Sequence, residues 1–206
     1  MQAEIRNSAG EFLPGVVFLR GGAVAVLVIV EEEAEEWDTE EEGVKSQNHH
    51  QWTILTSQPR IPAGSLQFLE IPAGMMDDDS GTFTGKAADE IYEELGIKLD
   101  AAKLLDLCML SHHRSLYPTT EENLVLGMYP SPGGSDEFIK LFAYRLVVAK
   151  GCVKEMEGRV GGNRKEGERI VLRMVKLDEV WSVAGRDAKA LGAWALWKGL
   201  KEAGAV

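Results

Sequence analysis

The stretch Ile71-Pro72-Ala73-Gly74, resumed after a short loop as Ala87-Ala88-Asp89-Glu90-Ile91-Tyr92-Glu93-Glu94-Leu95-Gly96-Ile97, decides the fold of this chain. The mostly apolar run 66–69 before it predicts a strand, and the proline and glycine predict that this strand ends in a tight turn. Gly96 predicts the end of a helix. The stretch therefore predicts a strand–loop–helix–loop unit.

Three glutamates lie close together on the predicted helix. Glu90 and Glu94 are four residues apart and share one face, and Glu93 lies beside them. Like charges repel at this spacing, and a bound cation offsets the repulsion. Carboxylate oxygens with room for water suit Mg²⁺, with Mn²⁺ as an alternative, above all where a substrate phosphate completes the coordination. Taken alone, the glutamates are more typical of a solvent-exposed helix face, and it is the flanking strand, turn and Gly96 that favour a cation site.

The composition limits the class of protein. A length of 206 residues predicts one domain, and an apolar fraction of 45% suffices for a packed core. The net charge is −11, from 22 basic and 33 acidic residues, which argues against a nucleic-acid-binding surface because such a surface needs a basic stripe. A nucleotide ligand stays open, since a metal ion and a few arginines can bind its phosphates.

The cysteines and the hydropathy bear on the compartment. Cys108 and Cys152 lie in apolar surroundings far apart in sequence, which predicts buried free thiols and a reducing environment. No apolar run reaches the roughly 18 residues of a membrane span, and the N-terminus lacks a signal pattern. We therefore expect a cytoplasmic or organelle-stroma protein with no membrane partner.

Hydrophobic periodicity along the chain predicts strands, a helix, further strands and a final helix. The acidic run 31–42 predicts a flexible loop that extends to about residue 51, or a partner-binding loop. A stripe of apolar residues in 188–203 predicts a helix packed on the core. This order indicates a mixed sheet covered by helices, either α+β or an α/β/α layered domain. The predicted strands are 16–20, 23–30, 52–56, 67–71, 104–112, 140–148 and 169–176.

The glutamate stretch resembles the Nudix box, G-x5-E-x7-R-E-U-x-E-E-x-G-U, where U is a bulky aliphatic residue. The matching positions are Glu90, Ile91, Glu93, Glu94, Gly96 and Ile97. The spacing from Gly74 to Glu90 is one residue longer than the pattern, and the early glutamate is missing. Asp89 stands where the pattern has an arginine that holds the glutamates, and Lys86 on the same side of the helix is a candidate substitute.

The resemblance implies an α/β fold, the Nudix-type α/β/α sandwich with a mixed sheet and a C-terminal helix. This domain is expected to cover residues 16–206, preceded by a partial arm at 1–15.

Two further motifs resemble the ADP-ribose and ADP-sugar pyrophosphatase branch of that family, most of all its plant and algal members. The motif at 131–137 implies substrate contacts from Ser131, Gly133 and Gly134 and places Glu137 towards the substrate. The motif at 166–168 implies that Glu168 is a late metal ligand and Glu166 a candidate base. An ordinary surface loop is the alternative for each motif.

The same resemblance extends to the residues around the first half of the box. Gln58-Pro59-Arg60 resembles the strand end that contacts the nucleotide, so Arg60 is a candidate substrate-binding residue, as is Glu70. The backbone carbonyl of Ala73 is a candidate metal ligand.

The resemblance implies an Mg²⁺-dependent pyrophosphatase that converts ADP-ribose or ADP-glucose into AMP and a sugar phosphate. Its implied metal ligands are Ala73, Glu90, Glu94 and Glu168, and its implied catalytic residues are Glu93, Glu137 and Glu166. It also implies a homodimer.

UDP-glucose is the alternative substrate. A catalytically weak nucleotide-sugar sensor, which Asp89 and the missing early glutamate favour, and a structural protein that uses the acidic loop are the alternative functions.

Overall fold

A computed structural model describes residues 4–13, 15–33, 51–76, 82–114, 124–162 and 169–206. It contains eight strands within these ranges: β1 Gly22–Glu32, β2 Trp52–Arg60, β3 Ser65–Glu70, β4 Ala73–Met75, β5 Leu105–Asp106, β6 Phe138–Val148, β7 Val160–Gly161 and β8 Ile170–Lys176. The α-helices are α1 Phe83–Leu95, α2 Leu107–His112, α3 Cys152–Met156, α4 Val180–Val183 and α5 Ala188–Glu202. Short 3-10 turns cover Ile61–Ala63, Ala101–Lys103 and Leu177–Glu179.

The strands form one mixed sheet in the order β5-β6-β1-β2-β8-β7. β1 runs parallel to β6, and every other pairing is antiparallel. β1 and β2 pair only at Ile29 and Val30. Beyond this point β3 pairs with β2, and β4 pairs with β1 at Ala23 to Ala25. The two central strands therefore separate, and the chain from β3 to β4 crosses between them.

Helices cover both faces of the sheet. Alternate residues of β1 point to opposite faces, so Leu27 packs in the core below α2 and α5, whereas Val28 packs in the core below α1. All of residues 23–30 are consequently buried, as expected for a central strand with both faces covered. These layers confirm the predicted α/β/α sandwich with a mixed sheet and a C-terminal helix.

Helix α1 forms where the glutamate stretch predicts it. Thr82 is its N-cap, and the hydroxyl of Thr82 accepts a hydrogen bond from the Gly85 N–H at 3.0 Å. Ala87, Ile91 and Leu95 recur at a spacing of four and pack onto the sheet, where all three are buried. The helix ends before Gly96, as predicted.

Removal of the Thr82 cap tests how firmly α1 is held. We expect Thr82→Ala to lower the free energy of unfolding by about 1 kcal/mol, because the substitution leaves a helix N–H without its acceptor. Urea denaturation followed by circular dichroism measures this loss. Thr82→Ser keeps the hydroxyl and should retain most of the stability, whereas equal losses in both variants would contradict a capping role.

Several local predictions are wrong. Residues 104–112 are not one strand, because only Leu105–Asp106 pair in the sheet and α2 follows at once. The carboxylate of Asp106 accepts from the Met109 N–H at 2.8 Å and starts this helix, a signal that competes with the apolar run. Residues 16–20 form only an isolated bridge from Phe18 to Ser135, because no strand among the described residues pairs with them, and their side chains are largely exposed.

Other predictions need a boundary or a qualification. Glu31 and Glu32 belong to β1, so the acidic loop begins later than predicted; its remainder at 34–50 lies outside the described residues. Cys108 is a buried free thiol, and burial raises its pKa. Cys152 is free but only half-buried. Across the described ranges, no helix combines the length and apolarity required to cross a bilayer.

Candidate active site

A cleft of about 970 Å³ opens where β1 and β2 separate. Glu90, Glu93 and Glu94 of α1 line one side of it, and we call these three residues the glutamate wall. Ala73 and Gly74 of β4 also line the cleft, and cationic side chains line other parts of it. The cations are Arg20, Arg60, Lys86 and Lys189.

Glu90 occupies a position that only glycine at residue 74 permits. A Cβ atom built on Gly74 would overlap the carboxyl group of Glu90. The Lys86 ammonium holds the same carboxylate, with 2.8 Å between Lys86 Nζ and Glu90 Oε1. Lys86 thus contacts the first box glutamate from one turn earlier in the helix. Asp89, at the position of the box arginine, is exposed and does not line the cleft.

Glu94 is buried near the end of α1, with 6% of its surface exposed. A Cβ atom on Gly161 would overlap the backbone carbonyl of Glu94, so β7 passes directly against the end of this helix. Gly161 pairs with Ile170 of β8. Gly161 and its partner Ile170 therefore both lie close to the end of α1. Glu166 and Glu168 lie outside the described residues, and their predicted roles stay predictions.

Four charged groups connect the ends of β2 and β3, which line the cleft, to the start of α5. The Arg60 Nε–H donates to Glu70 Oε1 at 2.7 Å, and Lys189 Nζ donates to Glu70 Oε2 at 3.0 Å. Lys189 also donates to Asp187 Oδ1 at 2.9 Å, while Asp187 Oδ2 accepts from the backbone N–H of Ile71 at 3.1 Å. We call Arg60, Glu70, Lys189 and Asp187 the charged chain. Burial disfavours the ammonium of Lys189, but Asp187 and Glu70 outweigh burial and raise its pKa.

Glu137 lines the cleft on the side of β6. Its carboxylate accepts from the Arg20 Nε–H at 2.6 Å, so an arginine holds it in place. The neighbouring Asp136 accepts from the backbone N–H groups of Arg20 and Gly21, and these two bonds lower the pKa of Asp136.

The predicted glycine motif does not reach the cleft. Ser131, Gly133 and Gly134 are exposed and do not line the cleft, whereas Pro130 before them and Glu137 after them do. The motif forms a turn in which the Gly134 N–H donates to the Ser131 carbonyl at 3.1 Å. The Gly134 carbonyl accepts from the Phe18 N–H at 2.8 Å, which ties the turn to the segment before β1. A substrate role for these three residues stays a prediction.

The donor set in the cleft suits a hard divalent cation. Glu90 and Glu94 supply carboxylates and Ala73 lies beside them on β4, so the oxygen ligands preferred by Mg²⁺ are concentrated in one place. Within the described ranges, no group of three or more His, Cys, Asp and Glu side chains is arranged to hold a metal ion. The predicted set thus fits Mg²⁺ in the chemistry of its donors, and its remaining member, Glu168, lies outside those ranges.

Sequence reasoning did not single out several residues of the cleft. Arg20 lies in the run before β1, where the sequence pattern indicated only a strand. Lys189 belongs to α5, whose apolar stripe indicated core packing. The Asp187 cap, whose carboxylate accepts from the N–H groups of Lys189 and Ala190, is a recognisable helix start that places Lys189 in the first turn.

A sheet covered on both faces, with central strands that separate beside a helix bearing Glu-x-x-Glu-Glu, defines a Nudix-type domain. The chain is 37% identical over 200 residues, or 97% of its length, to Nudix hydrolase 14, chloroplastic, from Arabidopsis thaliana. The chain belongs to the Nudix hydrolase superfamily. It spans 56% of the length of that relative. No family model matches the chain.

Proposed function

We propose that this protein hydrolyses the diphosphate bond of a nucleoside diphosphate sugar in the presence of Mg²⁺. ADP-ribose or ADP-glucose is the proposed substrate, and AMP and a sugar phosphate are the products. One observation carries the proposal: a single cleft has the glutamate wall on α1 and the arginines Arg20 and Arg60 elsewhere on its lining. Such a cleft matches a ligand whose diphosphate needs both a metal ion and direct cationic contacts.

The residues of the cleft have distinct proposed roles. Glu90, Glu94 and the Ala73 carbonyl, with Glu168, would hold the metal ion, and Glu93 would support them. When bound there, a divalent cation would supply neutralisation of the charge that develops on the phosphates and activation of a water molecule. Arg60 binds the nucleotide side of the substrate, next to Glu70.

Glu137 and Glu166 are the two candidates for the base. Arg20 donates to Glu137 at 2.6 Å, so this carboxylate already has a cationic partner on its side of the cleft. We therefore propose Glu166 as the base, with Arg20 and Glu137 together on the substrate side of the cleft.

A panel of nucleotide sugars tests the function. The protein is incubated with ADP-ribose, ADP-glucose and UDP-glucose, each with Mg²⁺ or with EDTA, and the nucleotide products are separated by chromatography. We expect AMP from the ADP-sugars and no product with EDTA. Faster release of UMP would assign UDP-glucose as the substrate. Tight binding without product would favour the sensor, and no nucleotide-dependent shift in melting temperature would favour a structural protein.

The proposal extends to the partner and the compartment. We propose a homodimer, which light scattering after size-exclusion chromatography tests, and for which the exposed apolar run Val16 to Leu19 offers a contact surface. Because the Arabidopsis relative is named chloroplastic, we favour an organelle stroma over the cytoplasm.

A further inference from the structure

The charged chain joins the ends of the neighbouring strands β2 and β3 to the start of α5, where Lys189 lies 119 residues beyond Glu70 in the sequence. Arg60 ends β2, Glu70 ends β3, and Asp187 and Lys189 lie at the start of α5. Lys189 donates to both carboxylates, at 3.0 Å for Glu70 and 2.9 Å for Asp187. The first turn of the C-terminal helix is thereby attached to the strand end that faces the cleft.

The two carboxylates of the charged chain are almost fully buried. Glu70 and Asp187 each have 3% of their side-chain surface exposed, whereas Arg60 has 42% exposed. Buried carboxylates need cationic or hydrogen-bonding partners, because they have lost their hydration. Lys189 is a partner common to both, and it lies between them.

The two oxygens of Glu70 have different cations. Both Nε and Nη2 of Arg60 approach Oε1, each at 2.7 Å, while Lys189 binds Oε2. Arginine carries five N–H donors in a rigid fork. The bonds to Glu70 use the Nε and Nη2 edge of the guanidinium, so its Nη1 end is left for other partners, and Arg60 lines the cleft.

We propose that Lys189 is a positioning residue for substrate binding: it occupies Oε2 of Glu70 and thereby restricts Arg60 to Oε1, with its other donors towards the anionic groups of the substrate. This inference rests on the proposed function. Without Lys189, Glu70 turns both oxygens to the arginine fork, the favoured bidentate geometry of this pair, and draws the guanidinium away from the substrate. Lys189 itself does not touch the substrate.

Steady-state kinetics on the nucleotide sugar test the inference. We expect Lys189→Met to raise KM about tenfold with kcat nearly unchanged, because an arginine contact to the ground state is weakened. Lys189→Arg keeps the cation and should return KM close to the wild-type value. Lys198→Met, on the exposed side of the same helix, is the matched control and should change neither constant.

A double-mutant cycle with Glu70→Gln separates positioning from direct contact. If Lys189 acts only through Glu70, the Glu70→Gln/Lys189→Met double variant has the KM of Glu70→Gln alone, within about twofold. A KM that rises further in the double variant would mean that Lys189 binds the substrate itself and would overturn the inference. The same comparison decides the question if Lys189→Met alone fails to fold, because the double variant lacks one of the two buried carboxylates.

A second readout does not depend on turnover. The ¹⁵N–¹H signal of Arg60 Nε, assigned by its loss in Arg60→Lys, reports the bond to Glu70. We expect it to move in Lys189→Met and to stay in place in Lys198→Met. An unmoved signal, or an unchanged KM in Lys189→Met, overturns the inference. If the wild-type protein hydrolyses no nucleotide sugar, the proposed function fails, and the Arg60 signal still decides the role of Lys189.

Discussion

We expect Glu94→Gln to lower kcat by about a thousandfold with the fold intact, because in the proposed function Glu94 holds a metal ion whose stabilisation of the transition state contributes several kcal/mol. Glu94 is buried at the cleft end of α1, and glutamine has nearly its shape but lacks its charge. The substitution therefore removes the attraction for a divalent cation with little change in packing. Initial rates of AMP release with saturating Mg²⁺ measure the loss, and circular dichroism checks the fold.

The same helix offers a matched control for this result. Asp89 is exposed and does not line the cleft, so Asp89→Asn removes an equal charge from α1 without touching the site. We expect Asp89→Asn to keep wild-type turnover. Comparable losses in both variants would mean that the overall charge of the helix matters rather than the Glu94 carboxylate. Undiminished turnover in Glu94→Gln would remove Glu94 from the metal site.

Local sequence patterns predicted the parts of the site that depend on local structure. The spacing of Ala87, Ile91 and Leu95 fixes which face of α1 meets the sheet, and that orientation in turn brings Glu90 and Glu94 to the cleft. The layered fold was likewise predictable, because the run 23–30 is apolar at every position, as a doubly covered strand requires.

Contacts between distant segments were beyond sequence reasoning. Lys189 meets Glu70 across 119 positions of sequence, and Arg20 meets Glu137 across 117. Neither pair leaves a periodic signal, because a single charged residue at a helix start or before a strand is common on protein surfaces. Only the separation of β1 from β2, which depends on how β3 and β4 pair, brings these side chains to one cleft.

The box arginine is a related case. The sequence has Asp89 at that position, which alone indicates a disturbed metal site. The structure instead pairs Lys86 with Glu90, from the preceding turn of the same helix. A cation at a spacing of four is a favourable helical pair, so α1 retains an internal cation beside its first box glutamate. This contact weakens the main argument for a catalytically inactive sensor.

We expect Gly74→Ala to lower turnover by about a hundredfold, since a shift of about 1 Å in a catalytic group has an effect of this size. The new methyl group overlaps the Glu90 carboxyl, and a flexible side chain yields more readily than the β4 backbone, which pairs with Val24 of β1. We therefore expect the Glu90 carboxylate to move away from Gly74 while the fold persists. A raised Mg²⁺ requirement for AMP release, with a melting temperature close to wild type, is the expected pattern.

Gly199→Ala in α5 is the control, because its new methyl group meets no atom within 4 Å apart from its chain neighbours and the backbone of its own helix. That variant should keep full turnover and gain about 0.5–1 kcal/mol of stability from helix propensity. Full turnover in Gly74→Ala would show that the position of the Glu90 carboxylate against β4 is not needed for the reaction.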